Sequence, residues 1–230
     1  MLATIPSNLQ PWLIGSIVIG LFGFRAYRNY RKLKAPLSKY FLLSAGMMSL
    51  ALGLWSWPFL FTRSDPVLRT LLIIGDISFY AMLVYQTRII WYLALSTISY
   101  WWVFVPAFIV AIPGTIGIVY AELTETVGVV DGVAQYPVSA IGHVSQMILL
   151  VGILIVGCLL LWQVKTQKGM KAKLNLVSVA FLYVFGGLAG FANILLSEGT
   201  NQSVYVNIAY FVAFAGIVLT FLVFKIRKIS

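Results

Sequence analysis

The chain has 230 residues, of which 61% are hydrophobic and only 10% are charged, and its formal net charge is +10. Soluble domains carry about 25% charged residues, so this composition excludes a soluble globular protein and requires lipid to cover much of the surface. The basic residues lie in short segments between apolar runs. This arrangement indicates contact with the anionic cytoplasmic leaflet of a bilayer rather than with nucleic acid.

Seven apolar runs are long enough to cross a membrane core, which takes about 20 helical residues. In chain order, helices are predicted at about 11–30, 37–61, 67–93, 98–120, 138–163, 174–196 and 203–224. Pro106 and Pro113 lie inside the fourth run and predict a kinked helix. The sequence therefore predicts an all-α integral membrane protein with a single seven-helix transmembrane domain.

Lysine and arginine are distributed unequally between the two sides of such a bundle. With seven spans, 14 of the 16 basic residues lie in the odd-numbered loops and the C-terminal tail, and only Arg63 and Arg69 lie opposite. Cytoplasmic loops carry the excess of Lys and Arg in membrane proteins. We therefore expect the N-terminus outside and the C-terminus in the cytoplasm.

The longest connection, about 121–137, is predicted to be external. It is mildly acidic, and it also contains four valines together with Gly128 and Gly132. A lid or a short hairpin over the mouth of the bundle is one interpretation. An ordinary connector is the preferred one, because only some loops of this length are functional.

Asp76 is the clearest ionisable residue inside an apolar run, about ten residues into the third predicted helix. A charged group near mid-membrane is energetically costly, and such residues predict functional sites. Three roles fit Asp76: a proton carrier, a counter-charge for a cation or amine, or a buried acid that is hydrogen-bonded for packing.

Four further polar residues are predicted at a similar depth in the outer half of the bundle: His143 and Gln146 in the fifth helix, Asn193 in the sixth and Asn207 in the seventh. His143 and Gln146 are three residues apart and therefore share a helical face. With Asp76, the four are candidates for an outward-opening pocket that binds a small ligand. Hydrogen bonding between helices uses the same residue types, and for any one of them this structural role is preferred.

Small residues recur at four-residue spacing in two predicted helices, at Ala45, Ser49 and Gly53 and at Gly186 and Gly190. This spacing favours close helix contact, either within the bundle or in a homodimer. Most tryptophans lie near predicted helix ends, as in an interfacial belt. For those at the outer end, Trp12, Trp55 and Trp57, facing the pocket is the alternative.

The residue set argues against an enzyme, a cofactor and a metal. A single histidine excludes bis-histidine haem ligation and His-rich metal sites. No HExxH, GxSxG or P-loop occurs. A retinal pigment of this topology needs a lysine in the middle of the last helix, whereas Lys225 stands at its cytoplasmic end. We therefore expect no catalytic site and no cofactor.

Several short segments carry a resemblance to a known family: LWSWPF from Leu54, RSDP from Arg63, GDISFY from Gly75 and YQTR from Tyr85. With the N-out order, they resemble the seven-transmembrane sensor regions of bacterial histidine kinases and diguanylate cyclases, over most of the chain. The resemblance implies a receptor of a bacterial inner membrane that binds a small ligand and signals to the cytoplasm. Because the sequence stops at Ser230, two expectations follow: the output comes from a separate cytoplasmic partner, or the chain is the membrane part of a larger protein.

Two other functions stay open. A small secondary transporter, proton-coupled and with Asp76 as the carrier, would place its site near the midplane, as such transporters do. A structural or assembly subunit of a membrane complex would use the small-residue faces and the basic cytoplasmic loops.

Overall fold

The computed structural model describes Pro6 and residues 9–130, 133–137 and 139–196. They form helices α1 (Gln10–Leu33), α2 (Pro36–Ser56), α3 (Pro58–Phe61), α4 (Asp65–Ala94), α5 (Trp101–Thr124), α6 (Ala140–Gln163) and α7 (Met170–Leu196), and strands β1 (Gly128–Val130) and β2 (Val133–Gln135). Helices lie at the positions of the first six predicted runs, which confirms the helical architecture. The seventh predicted helix, 203–224, lies outside the described residues.

Four helices in the described part of the chain are long and apolar enough to cross a membrane: Pro36–Phe61, α4, α5 and α6. Large apolar side chains such as Phe61 and Ile116 are exposed on them. Exposed apolar surface of this extent is what a lipid-facing helix requires. The chain is therefore a membrane protein. In α7 the apolar stretch is shorter, Leu176–Leu188, and in α1 the apolar run gives way to basic residues from Arg25 onward.

The described residues fall into two compact units, the first within Met1–Ile89 and Ser99–Leu149 and the second within Ile90–Ile98 and Leu150–Ser230. In the first unit α4 is the central helix, because half of its most apolar stretch is buried, against 17% in α5. In the second unit α6 and α7 approach closely at a glycine. A methyl group added to Gly157 would lie 2.6 Å from a methyl of Val184.

Small residues bring α1 and α2 together in the first unit. A methyl group on Gly23 would lie 3.5 Å from the Cβ of Ala45, and the hydroxyl of Ser49 donates to the carbonyl of Ser16 at 2.7 Å. Gly53 also faces Ser16. The small residues of α2 that were predicted to favour close helix contact therefore do so against α1.

Two helix boundaries differ from the prediction in ways that matter for the site. The predicted second helix divides after Ser56, because Pro58 has no N–H to continue the ladder and starts α3 instead. The predicted fourth helix continues through both prolines and ends at Thr124 rather than near residue 120. Glu122, expected in an external loop, therefore lies in the last turn of α5.

The connection between α5 and α6 contains an antiparallel hairpin in which Gly128 pairs with Gln135 and Val130 with Val133. Val127 and Ala134 are buried in one apolar cluster with residues from the start of α1, from α3 and from the start of α4: Leu9, Phe59, Leu68 and Leu72. This burial explains why the segment forms a packed hairpin rather than the ordinary connector that was the preferred interpretation.

Candidate functional site

Asp76 lies eleven residues after the start of α4, which corresponds to about 16 Å along the helix. Leu72, Phe79 and Leu83 are buried on the same helical face, at spacings of four, three and seven residues from it. Asp76 itself is 7% exposed. An acidic side chain therefore occupies a core position of the central helix.

Glu122 is the partner of Asp76, and it is 3% exposed. Its carboxyl group lies within hydrogen-bonding range of the carboxyl of Asp76. The start of α4 meets the end of α5, where Arg69 donates to the carbonyl of Leu123 at 2.5 Å. Side chains tilt toward the N-terminus of their own helix. The Asp76 carboxyl is therefore directed toward the start of α4 and that of Glu122 back along α5, so the two converge.

One carboxyl oxygen of this pair lacks a hydrogen-bond donor in the part of the chain that the structure describes. The Oε2 atom of Glu122 receives no hydrogen bond from an N–H or O–H donor among the described residues. Ionised carboxylates only accept hydrogen bonds, so a bond between two carboxyl groups requires a proton on one of them. A proton held by the pair would supply the donor that Glu122 lacks.

The indole of Trp55 is the neutral donor of the site and lies within hydrogen-bonding range of the Asp76 carboxyl. Gly75 makes this approach possible. A Cβ at position 75 would lie 2.8 Å from both Cδ1 and Nε1 of the indole, closer than side-chain atoms pack. Gly75 therefore leaves room for the indole ring to pack against α4, and Asp76 is an acceptor within hydrogen-bonding range of its N–H.

Aromatic rings enclose the carboxyl pair. The ring centroid of Trp55 lies 5.5 Å from that of Trp12 and 5.2 Å from that of Phe79. Tyr136, just after β2, lies 5.2 Å from Trp12 and 5.7 Å from Phe59. Rings at these separations form favourable offset or edge-on pairs. The enclosure is built from α1, α2, α3, α4 and the hairpin segment.

The hairpin closes the site at the start of α4. The carboxyl of Asp65 accepts from the Val127 backbone at 3.0 Å and from Arg69 at 2.8 Å. The hydroxyl of Tyr136 donates to the carbonyl of Trp55 at 2.6 Å. Burial raises the pKa of the Tyr136 hydroxyl well above its ordinary value, and the neighbouring carboxyls have the same effect, so the hydroxyl stays protonated and can donate.

Tyr80, one turn further along α4 than Asp76, joins this helix to α6. Its hydroxyl donates to the carbonyl of Gly142 at 3.1 Å. The hydroxyl of Ser145 on α6 donates to the carbonyl of Val110 on α5 at 2.6 Å. Helices α4, α5 and α6 are therefore tied together by polar contacts next to the carboxyl pair.

The predicted site residues have different outcomes. Asp76 is buried and paired, while His143 and Gln146 are half-buried on the first turns of α6. Asn193 lies in α7, in the second unit, and Asn207 lies outside the described residues. A pocket formed by all five stays a prediction.

Glu122 was missed because the predicted helix ended too early. A signal for it was present in the sequence. Ala107, Ala111, Gly114 and Ile118 are buried on one face of α5 at alternating spacings of four and three residues, and Glu122 follows Ile118 by four. Continuing this stripe by one turn places the glutamate on the buried face.

Comparison with known proteins adds no relative: no family model, no curated protein and no solved structure matches the chain.

Proposed function

We propose that the protein is a seven-span membrane receptor, with its N-terminus outside and its C-terminus in the cytoplasm, whose sensing site is the Asp76–Glu122 pair. The ligand that this site best accommodates is the proton. The pair would lie in the outer half of the bundle, and the signal would pass to a separate cytoplasmic partner. His143 and Gln146 stay candidates for the same outer region.

The observation that carries the proposal is the contact between two buried carboxyl groups within an aromatic enclosure. Two adjacent carboxylates in apolar surroundings repel each other, and neither is well solvated. With one proton, the pair is hydrogen-bonded and carries a single charge. The packed arrangement of α4 and α5 is therefore the one that favours the protonated pair.

Loss of the proton would favour a different packing. The groups that face Asp76 from the surrounding elements are Glu122 on α5, Trp55 on α2, Tyr136 beside the hairpin and Tyr80 on its own helix. Arg69 is a cation that acts on this set, through Glu122. A second negative charge would be relieved by separating α4 from α5, or by opening the hairpin to water.

The length of α4 provides a route to the other side of the membrane. Thirty residues of helix extend about 45 Å, which exceeds the hydrocarbon thickness of about 30 Å. Near its other end, Thr87 lies 3.2 Å from the hydroxyl of Tyr100, at the start of α5. A shift of α4 against α5 at the carboxyl pair would therefore also change their contact at the opposite end. A ligand shifts such an equilibrium only through a difference in affinity between the two states, which the shared proton provides.

The proposal is tested by recording the fluorine resonances of the full chain with 5-fluorotryptophan, in nanodiscs, as the pH is raised. Trp55 and Trp101, at opposite ends of the first unit, are assigned by Trp→Phe variants. We expect both resonances to shift in one step in the wild type, and neither to do so in Asp76→Asn. Glu125→Gln, which removes an exposed carboxyl three residues from Glu122, is the matched control and should behave as the wild type. An unchanged Trp55 response in Asp76→Asn would refute the proposal.

One observation favours proton-coupled transport as the second candidate. Buried polar groups continue along α4 beyond Asp76, to Gln86, which is 2% exposed. Its Nε2 donates to the hydroxyl of Ser44, and its Oε1 receives no hydrogen bond among the described residues. Proteoliposomes with a trapped pH-sensitive dye separate the two functions. A receptor gives no proton flux, whereas a flux that Asp76→Asn abolishes identifies a carrier.

A further inference from the structure

A cleft of about 740 Å³ lies between α2, α4 and α5 in the first unit. Neither Asp76 nor Glu122 lines it. Its size falls within the range of about 300–1,000 Å³ that is typical of small-molecule sites. One end of the cleft is cationic and aromatic, with Lys39, Tyr40, Arg88 and Tyr100. The remainder is mostly apolar, and its hydroxyl-bearing residues are Tyr80, Tyr85 and Thr115. The cleft is therefore amphipathic along its length.

The cationic end is preorganised. The guanidinium carbon of Arg88 lies 3.6 Å from the centroid of the Tyr100 ring and 5.7 Å from that of Tyr40. Cation–π contacts to two rings fix the position of this charge. Lys39 is exposed beside it, and the lining of the cleft, as far as the structure describes it, contains no acidic residue. Burial raises the pKa of Tyr100, so its hydroxyl stays protonated. This end is suited to an anion with several oxygen acceptors.

The apolar walls are suited to a hydrocarbon chain. On α5, Phe104 and Phe108 stack with their ring centroids 5.4 Å apart, and Ile112 and Ile116 continue the wall at four-residue spacing. From Tyr100 to Ile116 the helix rises about 24 Å, more than half the thickness of a membrane core. Phe108 is 46% exposed and Ile116 63% exposed. The cleft is thus open along its side, where lipid would lie against a membrane-spanning α5.

We propose that this cleft binds one anionic phospholipid, with its phosphate at Lys39 and Arg88 and one acyl chain along the Phe104–Ile116 face of α5. The occupant follows from charge complementarity at one end and from the lateral opening and apolar walls along the rest. In the proposed orientation the cationic end lies at the cytoplasmic leaflet, where anionic lipids are concentrated. The inference is independent of the proton-sensing site, because neither Asp76 nor Glu122 lines the cleft and the ligand is a different one.

The test uses the full chain in nanodiscs containing phosphatidylcholine with a minor fraction of phosphatidylglycerol of the same acyl chains. After extraction, lipid bound to the protein is measured by native mass spectrometry. We expect the wild type to retain one phosphatidylglycerol, and the double variant Lys39→Gln/Arg88→Gln to retain it about tenfold less, since hydrogen bonds to charged groups are lost. Arg28→Gln removes an exposed cation outside the cleft and should retain the lipid.

A second variant addresses the chain-binding part without altering the charges. Ile112→Trp fills the cleft between its two walls, and we expect it to retain less lipid while Lys39 and Arg88 remain. Inorganic phosphate and short-chain phosphatidylglycerol are added as competitors. Displacement by phosphate alone would identify an ion site and overturn the lipid proposal. Equal retention of phosphatidylcholine, or full retention in both variants, would also overturn it.

Discussion

The contact between Trp55 and α4 depends on the absence of a side chain at residue 75, so Gly75→Ala is a sharp perturbation of the site. The added Cβ would lie 2.8 Å from Cδ1 and Nε1 of the indole and 3.3 Å from the Cβ of Leu54. Carbon atoms settle at about 3.5–4.0 Å, so the indole must move by about 0.7 Å or more. The Trp55 backbone is held by Tyr136 and its ring contacts Trp12, so we expect the approach of the indole to Asp76 to be the contact that is lost.

The change in the free energy of unfolding caused by Gly75→Ala follows from two opposing effects. Overpacking a filled core costs about 1–3 kcal/mol, and replacing glycine by alanine in a helix interior gains about 1 kcal/mol. Gly46→Ala in α2 is the matched control, because a Cβ there would meet no atom within 4 Å. We therefore expect Gly75→Ala to be less stable than Gly46→Ala by about 1–3 kcal/mol.

The assay is equilibrium unfolding in mixed micelles with increasing sodium dodecyl sulfate, followed by circular dichroism. The fluorine resonance of Trp55 is recorded for both variants in the folded state. Gly75→Ala should shift this resonance, and Gly46→Ala should leave it in place. Equal stability of the two variants together with an unmoved Trp55 resonance would contradict the packing of the indole against α4.

Two further predictions concern the hairpin and the second unit. Tyr136→Phe keeps the ring but removes the hydroxyl bond to the carbonyl of Trp55, and it should lower the free energy of unfolding by about 1 kcal/mol and speed amide exchange in the hairpin; unchanged exchange would contradict that link. Gly157→Ala places a methyl group 2.6 Å from Val184 and should destabilise the protein by about 1–3 kcal/mol, whereas Gly152→Ala, with 3.6 Å to its nearest neighbour, should be tolerated. Similar unfolding curves for the two glycine variants would refute the close approach of α6 and α7.

The positions of the helices could be predicted because each apolar run is long and local, and periodicity within one run requires no knowledge of its neighbours. Asp76 was found for the same reason: a single acid stands out in an apolar segment. Its partner was not, because the last turn of α5 reads as the start of a polar connection, with Glu122 and Glu125 close together. Only the buried stripe ending at Ile118 distinguishes these two glutamates.

Other parts of the site depend on contacts between distant segments. The sequence left open whether Trp55 faces lipid or the interior, because both neighbours, Leu54 and Ser56, are compatible with either. The enclosure of the pair by Trp12 and Tyr136 joins residues more than 120 positions apart. Such a contact arises from the packing of the hairpin, and no local pattern encodes it.

In the proposed receptor, Asp76 and Glu122 share a proton inside the folded protein. Infrared difference spectroscopy of the full chain in lipid, in H₂O and D₂O at neutral pH, measures it most directly, because a protonated carboxyl has a carbonyl stretch distinct from that of a carboxylate. We expect one such band that shifts in D₂O, changes in Asp76→Asn and in Glu122→Gln, and stays unchanged in Glu125→Gln. No protonated carboxyl band in the wild type, or a band that both site variants leave unchanged, would contradict it.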